Sequence, residues 1–138
     1  VSAPVEFASS VLSWVTDVRA ALVDVPDGIG GTLGDRVVLD APTAAGWPGP
    51  VVIVGSPVLI FETYCSDGPS DLAVTVWVVG DATDSAVNER LIAIVLGVCA
   101  ALEASTREVS VDQARPGAWI DGNGSRPAYV IQGTGSLT

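Results

Sequence analysis

Asp71-Leu-Ala-Val-Thr-Val-Trp-Val-Val79 is the stretch whose reading decides the fold. Side chains alternate along an extended chain, so Leu72, Val74, Val76 and Val78 share one face, and Ala73, Thr75, Trp77 and Val79 share the other. This is the clearest strand in the sequence. Upstream, Val51-Val-Ile-Val54 is a second, continuously apolar strand, broken by Gly55-Ser-Pro57 and resumed as Val58 to Tyr64. Pro57 has no N–H to give to a ladder, which makes the break a bulge or an edge position. Downstream, Thr83 or Asp84 offers an N-cap to a helix whose core stripe is Val87, Leu91, Ile94, Val95, Val98 and Leu102. From Leu91 to Leu102 no face of this helix is polar. A helix apolar all round is covered on more than one side. One side can lie on the sheet; the other needs the first helix or a second subunit.

Further out, Val11, Leu12, Trp14, Val15, Val18 and Leu22 recur at helical spacing, which predicts a helix starting between Pro4 and Ser10 and ending before Pro26-Asp-Gly28. A long Gly/Pro-rich loop at about residues 26–50 follows, in which only Arg36 to Asp40 reads as a short strand. Loops of this length are usually functional or ordered by a partner. The chain closes with a strand from Glu108 to Ala114 (Val109 and Val111 inward), a Pro/Gly-rich connection, a strand from Pro127 to Gln132 and a frayed end from Gly133 to Thr138. The expected fold is a single α+β domain spanning residues 1–138, a mostly antiparallel sheet with two helices packed on one face.

Composition narrows the function. The 138 residues include 16 acidic and 6 basic ones, for a formal charge of −10 with no histidine. A pI near 4.1 argues against gripping nucleic acid or an anionic membrane, both of which need clustered Lys or Arg. Without histidine there is neither a Ser-His-Asp triad nor a His-based metal site. The longest apolar run, Leu91 to Leu102, is too short for a bilayer span of ~20 residues. The N-terminus lacks the basic region and cleavage site of a secretory signal, so a soluble protein is expected. Cys65 and Cys99 have no metal-type spacing and are both expected to be reduced. At 49% hydrophobic, the chain has more apolar surface than a small domain needs, and such surplus usually goes into a partner.

The local motifs yield no chemistry. Gly28-Ile-Gly-Gly-Thr-Leu-Gly34 has the wrong glycine spacing for a nucleotide fingerprint and lacks a following Lys-Ser/Thr, which leaves a flexible loop. Asp121-Gly-Asn-Gly-Ser125 starts like a calcium loop, but the sixth position is Arg126 and the twelfth is Gln132. Asn123-Gly124 is better read as a hairpin turn. Asp81 and Asp84 flank a helix start, where carboxylates suit the positive end of the dipole. Cys65 has no His partner and Ser125 has no base. The chain is therefore expected not to be an enzyme, and to need no cofactor or metal. Trp14 and Trp77 lie in periodic elements, while Trp47 and Trp119 lie in Gly/Pro-rich loops, either as core caps or as interface anchors.

Taken in order, Pro48-Gly-Pro-Val-Val-Ile-Val-Gly-Ser-Pro57, Leu72-Ala-Val-Thr-Val-Trp-Val-Val-Gly-Asp-Ala-Thr-Asp-Ser85, Val98-Cys-Ala-Ala-Leu-Glu-Ala-Ser105 and Val109-Ser-Val-Asp112 with Ala128-Tyr-Val-Ile131 follow a helix containing Val18-Arg-Ala-Ala-Leu22. The series resembles the tail terminator (tail completion) proteins of long-tailed actinobacterial phages over roughly Val11 to Ile131. Its motifs are hydrophobic alternation and a strand-to-helix joint, not invariant catalytic residues. The last strand departs from the pattern, dissolving into Gln132-Gly-Thr-Gly-Ser136.

The resemblance implies a ring-forming subunit, a homo-hexamer seated on the finished tail tube at the tail-neck junction of the virion and assembled in the host cytoplasm. Its partners would be the tail tube protein and a head-completion or stopper protein. DNA would pass through the lumen without specific binding. The residues expected at protein interfaces are Trp47, Trp77, Trp119, Arg36, Asp81 and Arg90. The alternatives are another neck ring subunit, such as a head-closure or adaptor protein, and a cytosolic small-ligand-binding α+β domain.

Overall fold

The computed structural model describes residues 3–28, 30–39, 49–61, 70–81, 87–121 and 124–137. Its elements, in order, are α1 (Ala3–Leu22), β1 (Val37–Val38), β2 (Val51–Val54), β3 (Val58–Ile60), β4 (Asp71–Val79), α2 (Val87–Ala104), β5 (Ser110–Asp121) and β6 (Gly124–Ser136). The expected α+β class holds. Among the described residues, six strands form one sheet in the order β1-β2-β4-β6-β5, with β3 also on β4. Only the β1–β2 pair is parallel.

The alternation read from Asp71 to Val79 is the frame of the sheet. Leu72, Val74, Val76 and Val78 are all buried and share one core with Trp14, Val18 and Leu22 of α1 and Leu91, Ile94, Val95, Val98 and Leu102 of α2. Both helices therefore pack on the same face. Each such side chain, fully buried, contributes ~1.5–3 kcal/mol of transfer free energy. Leu12 does not belong to this core, as its place in the apolar spacing suggested; it is 68% exposed.

β4 receives β2 and β3 along one edge and β6 along the other. Val54 pairs with Val76 and Val58 with Ala73, so Gly55-Ser56-Pro57 steps the chain along a single edge, and the proline falls between ladders. α1 packs against β1, where the Arg19 Nε donates to the Val37 carbonyl at 2.8 Å, and α2 packs over β4, β5 and β6.

Several expected boundaries are corrected. The strand Arg36–Asp40 shrinks to Val37–Val38, because Gly34–Arg36 is a 3-10 turn. The run from Val58 to Tyr64 contributes the short strand β3; residues 62–69, which include Cys65, lie outside the described residues. So do Thr83 and Asp84, the expected cap of α2.

The Pro/Gly-rich connection after Ala114 is strand, and β5 runs unbroken to Asp121 past a bulge between Val111 and Gln113. The frayed end from Gly133 is strand as well, continuing to Ser136. Its glycines answer to close packing. A Cβ at Gly133 would lie 2.9 Å from the Ser110 carbonyl oxygen, and one at Gly135 would lie 2.7 Å from Trp14 Cζ2. Trp14 completes the joint by donating its Nε1 hydrogen to the Ser136 carbonyl at 3.2 Å.

Candidate assembly interface

The second face of the sheet carries no described helix. Its buried residues are few: the cluster of Val38, Val51, Ile53, Val79 and Ala128, with Trp77 and Trp119 packed against it, and Val130 opposite Trp77. The register explains how two tryptophans from non-adjacent strands meet. Trp77 lies opposite Val130, Val79 opposite Ala128, Ala128 opposite Gly117, and Arg126 opposite Trp119. The rings thus approach diagonally over Ala128 and Gly117, two residues small enough to leave the space. Their centroids are 5.1 Å apart and their planes 70° apart, an edge-to-face pair. Trp119 is a strand residue and not a loop residue, half-buried against this cluster, so it caps buried residues as one of the two alternatives had it.

Two arginines fix the border of this face. Arg126, cross-strand from Trp119, donates its Nε to the Gly80 carbonyl at 2.9 Å and its Nη2 to the Gly49 carbonyl. Arg36 donates its Nη1 to the Pro50 carbonyl at 3.1 Å. Both cations hold backbone oxygens where the loop returns to β2, and Arg126 also holds the end of β4, with Asp81 next in the chain at the same border. Arg90 stands apart, in the helical layer, with its stem along Gly28. Trp47 lies outside the described residues. The structure thus groups Trp77 with Trp119, sets Arg36 and Asp81 at their border, and removes Arg90 from the group. Arg126 was not among the expected residues; its only sequence signal is its place beside the hairpin turn.

The glycine-rich loop after α1 is closed by its own acid. Asp27 is buried, its Oδ1 accepts the Gly31 N–H at 3.1 Å, and its own N–H donates to the Gly31 carbonyl at 3.1 Å. A carboxylate of the chain thereby occupies the amide that a phosphate would need. A shallow depression of about 280 Å³ between α1 and the end of β6 is lined by Ser9, Ser10, Ser13, Arg107 and Leu137. Its cation is paired: Arg107 Nη2 lies 2.8 Å from Asp17 Oδ2. Among the described residues no group of three His, Cys, Asp or Glu could hold a metal ion, and no helix is long and apolar enough to cross a membrane. Cys99 is a free thiol, half-buried against the core; burial, and then the Glu103 carboxylate, push its pKa up.

The apolar surplus foreseen from composition is visible on the surface. Exposed large hydrophobics include Ile92 and Leu96 on α2, Ile120 near the tip of β5, and Val58, Leu59 and Phe61 at β3. Leu96 is 65% and Ile120 77% exposed. The all-round apolar character of α2 is therefore only partly absorbed within one chain. Comparison with known families, curated proteins and solved structures finds no match.

Proposed function

We propose that this protein is a structural ring subunit of a long-tailed phage particle, a tail terminator by the pattern of its sequence. Six copies close on the finished tail tube, end its polymerisation and present a surface to a head-completion or stopper protein. The observation that carries this reading is the uncovered apolar flank of α2. Ile92 and Leu96 face solvent in a helix that has no polar side between Leu91 and Leu102, and an apolar patch of this kind marks a contact with another molecule. The formal charge of −10 per chain suits a lumen that DNA must cross without sticking. The function is mechanical, and no residue is assigned to catalysis.

Native mass spectrometry over a range of concentrations tests the ring. The expected result is a closed species of about six times 14.0 kDa. Polymerisation of tail tube protein in the presence of this chain tests the cap: tubes should stop at a shorter length and carry the ring at one end. Tubes that grow unaffected beside an assembled ring would transfer the protein to another position in the neck.

A further inference from the structure

β5 closes the sheet order β1-β2-β4-β6-β5, and among the described residues no strand pairs with its far side. At twelve residues it is a long edge, whereas the edge strands β1 and β3 have two and three. Such an edge displays backbone groups ready to pair with another extended chain, and proteins blunt it with charge, a bulge or a proline.

The register shows which groups are displayed. The Gly80 N–H donates to the Pro127 carbonyl at 2.8 Å, so the odd-numbered residues of β6 bond toward β4 and the even-numbered ones toward β5. Gln113, Arg115, Gly117 and Trp119 lie opposite Gln132, Val130, Ala128 and Arg126, and so bond inward. Ala114, Pro116, Ala118 and Ile120 turn their backbone groups outward.

Charge does not protect these four positions. None carries a charged side chain, and all are exposed. The protection lies in the backbone instead. Pro116 sits within the outward set, has no N–H to give, and places its ring where an incoming carbonyl would dock. Upstream, the bulge between Val111 and Gln113 breaks the regular spacing. Only Ala114 is left outward between bulge and proline, and only Ala118 and Ile120 beyond the proline. A ladder that uses both halves of the edge must include Pro116.

Pro127, in the interior strand β6, provides the contrast. Its missing N–H faces the Gly80 carbonyl, and the Arg126 Nε supplies a replacement donor there at 2.9 Å. An inward proline needs such a substitute; an outward one needs none and acts only on a newcomer.

We infer that Pro116 guards the β5 edge, ending the sheet there by excluding the β5 strand of a second copy of this chain. That strand is the natural intruder, because one edge then serves both partners in a two-fold antiparallel pair. With the pair centred on residue 116, Ala114 would lie opposite Ala118 and the two prolines opposite each other. The inference is independent of the ring reading above, since contacts made through other surfaces leave this edge free.

Pro116→Val restores the N–H with a residue that favours strands. The variant, confirmed as folded by circular dichroism, is compared with the wild type by native mass spectrometry and by hydrogen exchange; Pro116→Ala replaces it if the valine variant fails to fold. The variant should give a species of twice the wild-type mass, about twice 14.0 kDa for a monomer. Its Ala114 and Ala118 amides should exchange more slowly as concentration rises, while those of the wild type exchange fast throughout. Adding Ala118→Pro puts a proline back on an outward position and should return both readouts to those of the wild type. A folded Pro116 variant that matches the wild type overturns the inference, as does slow exchange at these amides in the wild type or no reversal by Ala118→Pro. Loss of the fold in both Pro116 variants overturns it too, because the proline would then serve the fold and not the edge.

Discussion

The two faces of the sheet are built differently. One buries a continuous core, from Trp14 and Leu22 through Leu72 to Val78 to Leu91 and Leu102, under two helices. The other buries a smaller set, Val38, Val51, Ile53, Val79, Ala128 and Val130, and carries the Trp77–Trp119 pair, held at its border by Arg36 and Arg126 on backbone carbonyls. Stability is concentrated under the helices. The bare face is therefore freer to accept substitutions without loss of the fold.

That contrast is open to measurement by thermal and denaturant unfolding. Trp14→Ala, at the closed end of the helical core, should cost about 3–5 kcal/mol, the usual loss for a large buried aromatic. Gly135→Ala should cost ~1–3 kcal/mol, since its Cβ meets the rigid Trp14 ring at 2.7 Å. A Gly135→Ala variant as stable as the wild type would show that the core is looser than its packing indicates.

On the bare face, Trp119→Ala should cost only about 1–2 kcal/mol, because the ring is half-buried. A double-mutant cycle with Trp77→Ala should return a coupling of ~0.5–1.5 kcal/mol for the edge-to-face pair. A larger loss at Trp119 than at Trp14 would reverse the ranking of the two faces.

Smaller still is the Arg107–Asp17 pair, whose side chains are 26% and 44% exposed. Asp17→Asn should cost ~0.2–1 kcal/mol and less as salt is added. Cys99 sharpens the picture of the α2 flank. Its raised pKa keeps the folded thiol protonated to higher pH than the unfolded one. Its contribution to stability is therefore full below the unfolded pKa and is lost as pH rises through the folded one. In a Cys65→Ser background, alkylation of folded protein should reach half its limiting rate at higher pH than alkylation of denatured protein. Coincident profiles would mean that the flank is already open to water at Cys99.

The parts of this fold legible in the sequence are those governed by local periodicity. The alternation from Leu72 to Val79, the core stripe of α2 from Leu91 to Leu102 and the inward Val109 and Val111 stand as read, while the side chain of Val87 lies outside what is described. What escaped is governed by contacts distant in sequence. Gly133 and Gly135 look like a loose tail, but they are strand residues made small by Ser110, Val109 and Trp14. Pro116-Gly117 looks like a connection, yet a proline whose missing N–H faces outward costs an edge strand nothing. Leu12 keeps the apolar spacing of α1 and still points to solvent, since periodicity cannot tell a core stripe from the flank of a contact surface.

For the candidate interface, the tryptophans were recognisable by type but not as a pair. Their meeting depends on a register that sets Ala128 and Gly117 between them. The all-round apolar character of α2 was legible, but whether the first helix or a second subunit covers its far side was not; in the single chain Ile92 and Leu96 stay exposed.

The bond from Trp14 to the Ser136 carbonyl joins positions 122 residues apart. β6, the strand that bears Ser136, lies between β4 and β5 and completes the sheet. During synthesis, then, the first helix leaves the ribosome with its largest side chain exposed and must wait for Ser136 before that side chain makes its bond. Such late closure is slow and exposes apolar surface in the meantime. The sheet can therefore be completed only after Ser136 has left the ribosome.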